Sequence, residues 1–141
     1  MQAVNPYLNF NGNTEEAFNF YKSVFGGEFK MVMRMKDAQG MPVPAGQEEK
    51  IMHIALPLDN GTVLMASDNC NDDTFKRGNN YYISIHADSV EEGQKLYEAL
   101  AAGGKADHPF KKEFWGDWHG NLTDKFGVNW MLNYTETQDK N

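Results

Sequence analysis

Apolar positions recur at helical spacing in two stretches of the chain. Ala17, Phe20, Tyr21 and Val24 form one stripe; Gly93, Leu96, Tyr97 and Leu100 form another, broken only by its glycine. Each stripe has a start signal: Asn13 with Glu16 three residues on, and Ser89 with Glu92 three residues on. Both have the composition of an N-cap and capping box, in which the two side chains satisfy free backbone N–H groups. Gly26 and Gly27 stop the first stripe, and Gly103 and Gly104 the second, as glycine does at left-handed helix ends. Adding 76 to the first set of stripe and cap numbers gives the second. Cap, stripe and stop repeating together point to a duplicated unit.

The flanking segments repeat as well. Strand-like residues 6–10 precede the first helix. Residues 81–87, with Ile83 and Ile85 alternating against Ser84 and His86, precede the second. After the first helix come strand patterns at 28–35, 50–57 and 62–67, the last two joined by the turn signal Asp59, Asn60, Gly61. After the second come 105–114, a segment near 117–124, and 128–134. The predicted order is β-α-β-β-β, twice, within one α+β domain spanning 1–141. Module one covers about 4–68, a polar linker 69–79, and module two about 80–134. Residues 36–49, with Gly40, Pro42, Pro44 and Gly46, are too long for a hairpin turn and read as a lid or a disordered loop.

Composition narrows the function. Thirteen basic against twenty acidic residues give a net charge of −7, which disfavours a phosphate backbone as partner. No apolar run approaches the ~20 residues that cross a bilayer, and the first ten residues lack a signal-peptide pattern. The lone Cys70, in a polar run, cannot make an intrachain disulfide. These features predict a cytoplasmic protein with neither nucleic acid nor membrane as partner.

Particular residues add a resemblance. Pro6 to Phe10, Glu16 to Tyr21, Val24 to Gly27, Met52 with His53, Leu64 to Asp68, Phe114 to Asp117 and Asp124 to Trp130 resemble the PhnB-like branch of the vicinal-oxygen-chelate superfamily. That superfamily includes glyoxalase I, bleomycin-resistance proteins and extradiol dioxygenases. The likeness runs from about Val4 to Tyr134. It implies curled half-barrel sheets around a cleft, paired modules and a homodimer. In metal-using relatives each module supplies one His or Glu ligand from its first strand and one from its last. Aligned on the helices and on Gly61 and Gly127, those positions fall here on Pro6, Tyr82, Met65 and Met131. Proline has no side-chain donor, thioethers suit hard divalent ions poorly, and a phenol binds well only as phenolate. The expectation is no metal and no cofactor.

Candidate cleft residues follow from strand alternation. His53 lies in a strand pattern, and His86 shares a face with Ser84 and Tyr82; an imidazole there suits a base or a ligand. Trp115, Trp118 and His119 crowd one short segment, where two indoles beside a polar tip could wall a planar ligand. Asn133 and Asn129 share the face of Met131 and could orient a ligand by hydrogen bonds. Asp68 and Asp124 read as exposed turn residues. Neither glycine pair follows a strand and opens a helix, as an adenosyl- or dinucleotide-cofactor loop requires. The favoured function is therefore a metal-free, enzyme-like protein that binds a small organic molecule. Two alternatives stand beside it: a metal-dependent lyase, isomerase or dioxygenase using His53, His86 and His119, and a non-catalytic antibiotic-sequestering protein.

Overall fold

A computed structural model describes residues 1–40, 42–69, 71 and 73–136; Cys70 lies outside these. The chain divides into two units, Met1–Lys76 and Arg77–Asn141. The first contains β1 (Tyr7–Phe10), α1 (Thr14–Phe25), β2 (Met31–Arg34), a single 3₁₀ turn (Met35–Asp37), β3 (Ile51–Pro57) and β4 (Val63–Asp68). The second contains β5 (Ile83–His86), α2 (Val90–Ala101), β6 (Lys105–Lys112), β7 (Trp118–Thr123) and β8 (Asn129–Tyr134). Each unit forms an open four-stranded sheet, in the order β1-β4-β3-β2 or β5-β8-β7-β6. The first strand pairs parallel with the last, and the other pairs are antiparallel. The doubled β-α-β-β-β pattern is the observed α+β fold.

In the first unit the helix covers one sheet face. Ala17, Phe18 and Tyr21 are buried against Phe10, Ile54, Leu56, Leu64 and Ala66. Phe18, which lies off the expected stripe, is fully buried, whereas Phe20 and Val24 are only half-buried. Phe18 meets Phe10 and Tyr21 edge-on at 6.3 and 5.5 Å, so aromatic packing sets the rotation of the helix.

The start of α1 differs from the sequence expectation. Asn13 makes no side-chain cap. Asp68, at the end of β4, takes that part: its Oδ1 accepts from the Thr14 N–H at 3.0 Å and from the Thr14 hydroxyl at 2.7 Å. Its other oxygen accepts from the Ile51 N–H at 2.8 Å. Asp68 is therefore buried rather than a turn residue, and its charge lies where the helix dipole favours an anion. Asp124 is buried too. It accepts from the N–H groups of Phe126 and Val128 and from the Trp130 indole at 2.9 Å. In α2, by contrast, Ser89 caps as its sequence indicates, accepting from Glu92 N–H at 3.0 Å.

Glycines allow the close packing of the second unit. A Cβ on Gly93 would fall 2.5 Å from the Phe110 ring, which explains the gap in the apolar stripe of α2. A Cβ on Gly120 would fall 2.7 Å from the Phe110 Cα. The core there is Tyr97, Leu100, Phe110, Leu122, Trp130 and Leu132.

At the base of the 36–49 segment, Met35 N–H donates to Lys50 O and Lys36 N–H to Glu48 O. The β2–β3 ladder thus extends beyond the strands themselves, a short ladder that the glycine and proline content does not suggest.

Candidate functional site

Residues opposite one another across a ladder share a sheet face. Each helix covers one face of its sheet, leaving the other as the candidate binding surface. In the first unit that open face carries the row Tyr7, Met65, Ala55 and Met31. In the second it carries the row Ser84, Met131, Asn121 and His108, and beside it the row His86, Asn133, His119 and Lys111.

The register corrects one alignment. The first-strand partner of Met65 is Tyr7, not Pro6, and that of Met131 is Ser84, not Tyr82. The 76-residue offset that relates the helices does not relate the first strands. Asn9 on the open face precedes Thr14 by five positions, whereas His86 precedes Val90 by four. Pro6 contributes only its carbonyl, which accepts from the Met65 N–H. Within each unit the first- and last-strand partners, Tyr7 with Met65 and Ser84 with Met131, offer a hydroxyl and a thioether, donors that do not fit a hard divalent metal. Among the described residues, no three or more His, Cys, Asp or Glu side chains gather as a metal site.

A different correspondence emerges from the last two strands. A shift of 66 carries Ala55 onto Asn121, Met65 onto Met131 and His53 onto His119. Each of these histidines is engaged through Nδ1. His53 meets the Tyr7 hydroxyl at 3.1 Å, with the two rings stacked 5.7 Å apart. His119 meets Asn133 Oδ1 at 3.1 Å.

The second unit builds the fuller network. The Asn133 amide nitrogen donates to Ser84 Oγ at 2.9 Å and to the Ile85 carbonyl at 3.4 Å. A carbonyl only accepts, so this contact fixes the amide orientation and aims Oδ1 at His119. In neutral His119 the proton must therefore sit on Nδ1, leaving a lone pair on Nε2. The His108 ring lies 5.7 Å from that of His119, and its Nε2 meets Glu113 Oε2 at 2.7 Å. That hydrogen bond, together with the nearby Lys111 charge and the two imidazoles when protonated, holds the Glu113 carboxyl below its ordinary range. Tyr97 supports this strand pair from the core side, donating to the carbonyls of His108 and Asn121 at 2.9 and 3.2 Å. Burial raises the pKa of its phenol.

The remaining candidates scatter. Tyr82 is exposed and lines an open cavity of about 520 Å³ with Asn79, Lys105, Asp107, Thr123 and Asn129. Asn129 is buried and committed internally, accepting from Thr123 Oγ1 and donating to the Gly78 carbonyl. The expected tryptophan wall does not form. Trp118 has the strand parity of Gly120 and Leu122 and packs on Phe110 at 5.5 Å, on the face opposite His119. Trp115 projects from the β6–β7 turn, 55% exposed, edge-on to Phe114.

The sequence reading missed Tyr7, Lys111, Glu113 and Asn121 as parts of the open face, and read His108, the least favoured of the four histidines, as structural. The register shifts of β6 between Ala106 and Lys111 hide His108 and Lys111 from simple alternation. For Asn121 a signal was available, since it lies two positions from His119 on a period-two strand.

Comparison with known proteins agrees with this architecture. The family model described as 3-demethylubiquinone-9 3-methyltransferase matches residues 2–133. Protein PA1353 from Pseudomonas aeruginosa, known from its crystal structure, is 37% identical with a TM-score of 0.81; the match covers 96% of this chain and 98% of that one. The PhnB protein from Bacillus cereus is 28% identical with a TM-score of 0.79, over 95% of this chain and 100% of that one. A glyoxalase/bleomycin resistance protein/dioxygenase family enzyme from Burkholderia phytofirmans PsJN shares the fold at 16% identity. Its TM-score is 0.63, over 94% of this chain and 99% of that one.

Proposed function

We propose a function from one premise: the chain belongs to the PhnB-like family, described as 3-demethylubiquinone-9 3-methyltransferase, and has the glyoxalase/bleomycin-resistance fold. The proposed function is to bind a small organic molecule on the open face of the second unit, without a metal at the four positions that metal-using relatives employ. One observation carries this reading. Asn133 is clamped between Ser84 and His119, and the His119 Nε2 has no partner among the described residues. Fixed polar groups beside Met131 give a ligand both orientation and apolar contact.

Methyl transfer, named in the family description, is not part of the proposal. In this chain both glycine pairs close helices, at Gly26–Gly27 and Gly103–Gly104, where an adenosyl-cofactor loop would open one. The two modules are proposed to act as one domain, in a cytoplasmic homodimer. Each sheet has two edge strands, β1 and β2 or β5 and β6, and strand edges call for cover. Light scattering should then report twice the 16.0 kDa chain mass. No described helix is long and apolar enough to cross a membrane.

The binding reading is tested by screening small hydroxyl- and carbonyl-bearing compounds against isotopically labelled protein. Shifts should concentrate on the amides of Ser84, His119, Met131 and Asn133. Shifts confined elsewhere would overturn it.

A further inference from the structure

We propose that His119 Nε2 is the proton acceptor of the open-face site, and that the ligand it takes carries an acidic hydroxyl group, a phenol or an enol. This rests on the binding reading above and specifies its chemistry.

The Ile85 carbonyl orients the Asn133 amide, and the amide places the His119 proton on Nδ1. What His119 presents to a ligand in its neutral form is therefore a lone pair, and the complementary group is a donor. The surrounding charges select among donors. Lys111 is the cross-strand neighbour of His119, and the His108 ring lies 5.7 Å away. An ammonium ligand would meet the Lys111 charge. A carboxylic acid is already ionised near neutrality and would set its lone pairs against that of Nε2. A phenol or enol keeps its proton in water and can share or transfer it. On transfer the O–H bond breaks, the N–H bond forms at Nε2, and the electron pair stays on the ligand oxygen. The resulting oxyanion then faces imidazolium and the Lys111 ammonium.

Other charged and titratable groups of this face complete the setting. Glu113 is hydrogen-bonded to His108 rather than to His119, and its carboxylate also interacts with Lys111 and His119, offsetting part of the positive charge of this face. His86, on β5, is the register neighbour of Asn133. Met131 and Asn121 occupy the adjacent row and offer an apolar contact and an amide. Asn133 is a positioning residue, since it acts through the tautomer of His119.

Two measurements on the wild-type protein test the inference. Long-range ¹⁵N–¹H spectra of the imidazoles should show His119 protonated at Nδ1 with Nε2 bare; the opposite tautomer would overturn the proposal. A panel of 4-cyanophenol, 4-hydroxyacetophenone and maltol, hydroxyls that remain mostly protonated at neutral pH, each with its O-methyl ether, is then titrated by NMR. The hydroxyl member of each pair should bind at least tenfold more tightly than its ether, and His119→Phe should collapse that ratio towards one. Ethers binding as well as hydroxyls would overturn the proton-acceptor role while leaving the binding face standing. No binding by any member, hydroxyl or ether, would sink the binding reading and this inference with it.

Discussion

His53 and His119 occupy the same point of the two units, each on the third strand, two residues before the position that pairs with Met65 or Met131. Their Nδ1 partners differ, a hydroxyl of Tyr7 in one unit and an amide oxygen of Asn133 in the other. The counterpart of Asn133 in the first unit is Ser67, which bonds Asn9 instead.

Replacing Asn133 by that counterpart separates positioning from stability. Asn133→Ser removes the oxygen that holds the His119 Nδ1 proton, so both neutral tautomers become populated in the imidazole ¹⁵N spectrum. The loss of these partly exposed hydrogen bonds should cost about 1 kcal/mol in urea unfolding. An unchanged tautomer would show that something other than Asn133 sets it.

Asp68, with Asp124, is expected to be among the most costly acidic residues to remove. Asp68→Ala deprives Thr14 and Ile51 of a buried charged acceptor at 2.7–3.0 Å and takes an anion from the start of α1. A loss of about 3 kcal/mol is expected, enough to lower the melting temperature by roughly 10 °C. Thermal unfolding within a degree or two of wild type would mean that water replaces the carboxylate.

Two tryptophans should respond in contrasting ways. Trp130→Phe removes an indole donor from buried Asp124 and should cost about 2 kcal/mol. The Trp118 indole nitrogen is buried with no hydrogen-bond partner among the described residues. Trp118→Phe relieves that group as it removes volume, so its net change should stay under about 1 kcal/mol. Equal losses in the two variants would indicate that packing volume alone governs both sites.

Gly93→Ala and Gly120→Ala should differ as well. The added methyl meets a side-chain ring at Gly93 but the Phe110 backbone at Gly120. A ring can rotate aside, whereas a ladder strand cannot move without breaking its hydrogen bonds. Gly120→Ala should therefore cost about 2–3 kcal/mol and Gly93→Ala less, when compared by denaturant midpoints.

Acid stability should report the Arg34–Glu15 pair. Arg34 holds both oxygens of Glu15, at 2.8 and 2.9 Å, and this hydrogen bonding keeps the Glu15 carboxyl below its ordinary value. The folded pKa is depressed, so the pair's contribution is complete above the unfolded value and fades as pH falls through the folded one. Both side chains are partly exposed, so Glu15→Gln should cost less than about 1 kcal/mol at pH 7. That difference from wild type should close in acid. A gap that persists at the lowest pH would point to an effect other than charge.

Much of the architecture was legible because it depends on local periodicity. The stripes around Tyr21 and Tyr97, the Ser89 cap and the two glycine stops act within a few residues, and the duplicated β-α-β-β-β order follows from them. The turn at Gly61 and the alternation of Ile83 and Ile85 were equally local.

What the tertiary structure alone decided is which side chains face one another across a sheet, because a one-residue change in register sends every side chain to the opposite face. The open-face position Asn9 lies five residues before α1 whereas its counterpart His86 lies four before α2, and that one-residue difference put Tyr7, not Pro6, beside Met65. The parity of β7 separated Trp118 from His119, and the irregular register of β6 brought His108 and Lys111 to the open face. Asp68 became a cap for a helix 54 positions earlier through strand pairing that no local signal encodes. His119 was visible in the sequence as a candidate. The bond that fixes its proton was not, since it depends on Asn133 lying opposite it on the neighbouring strand.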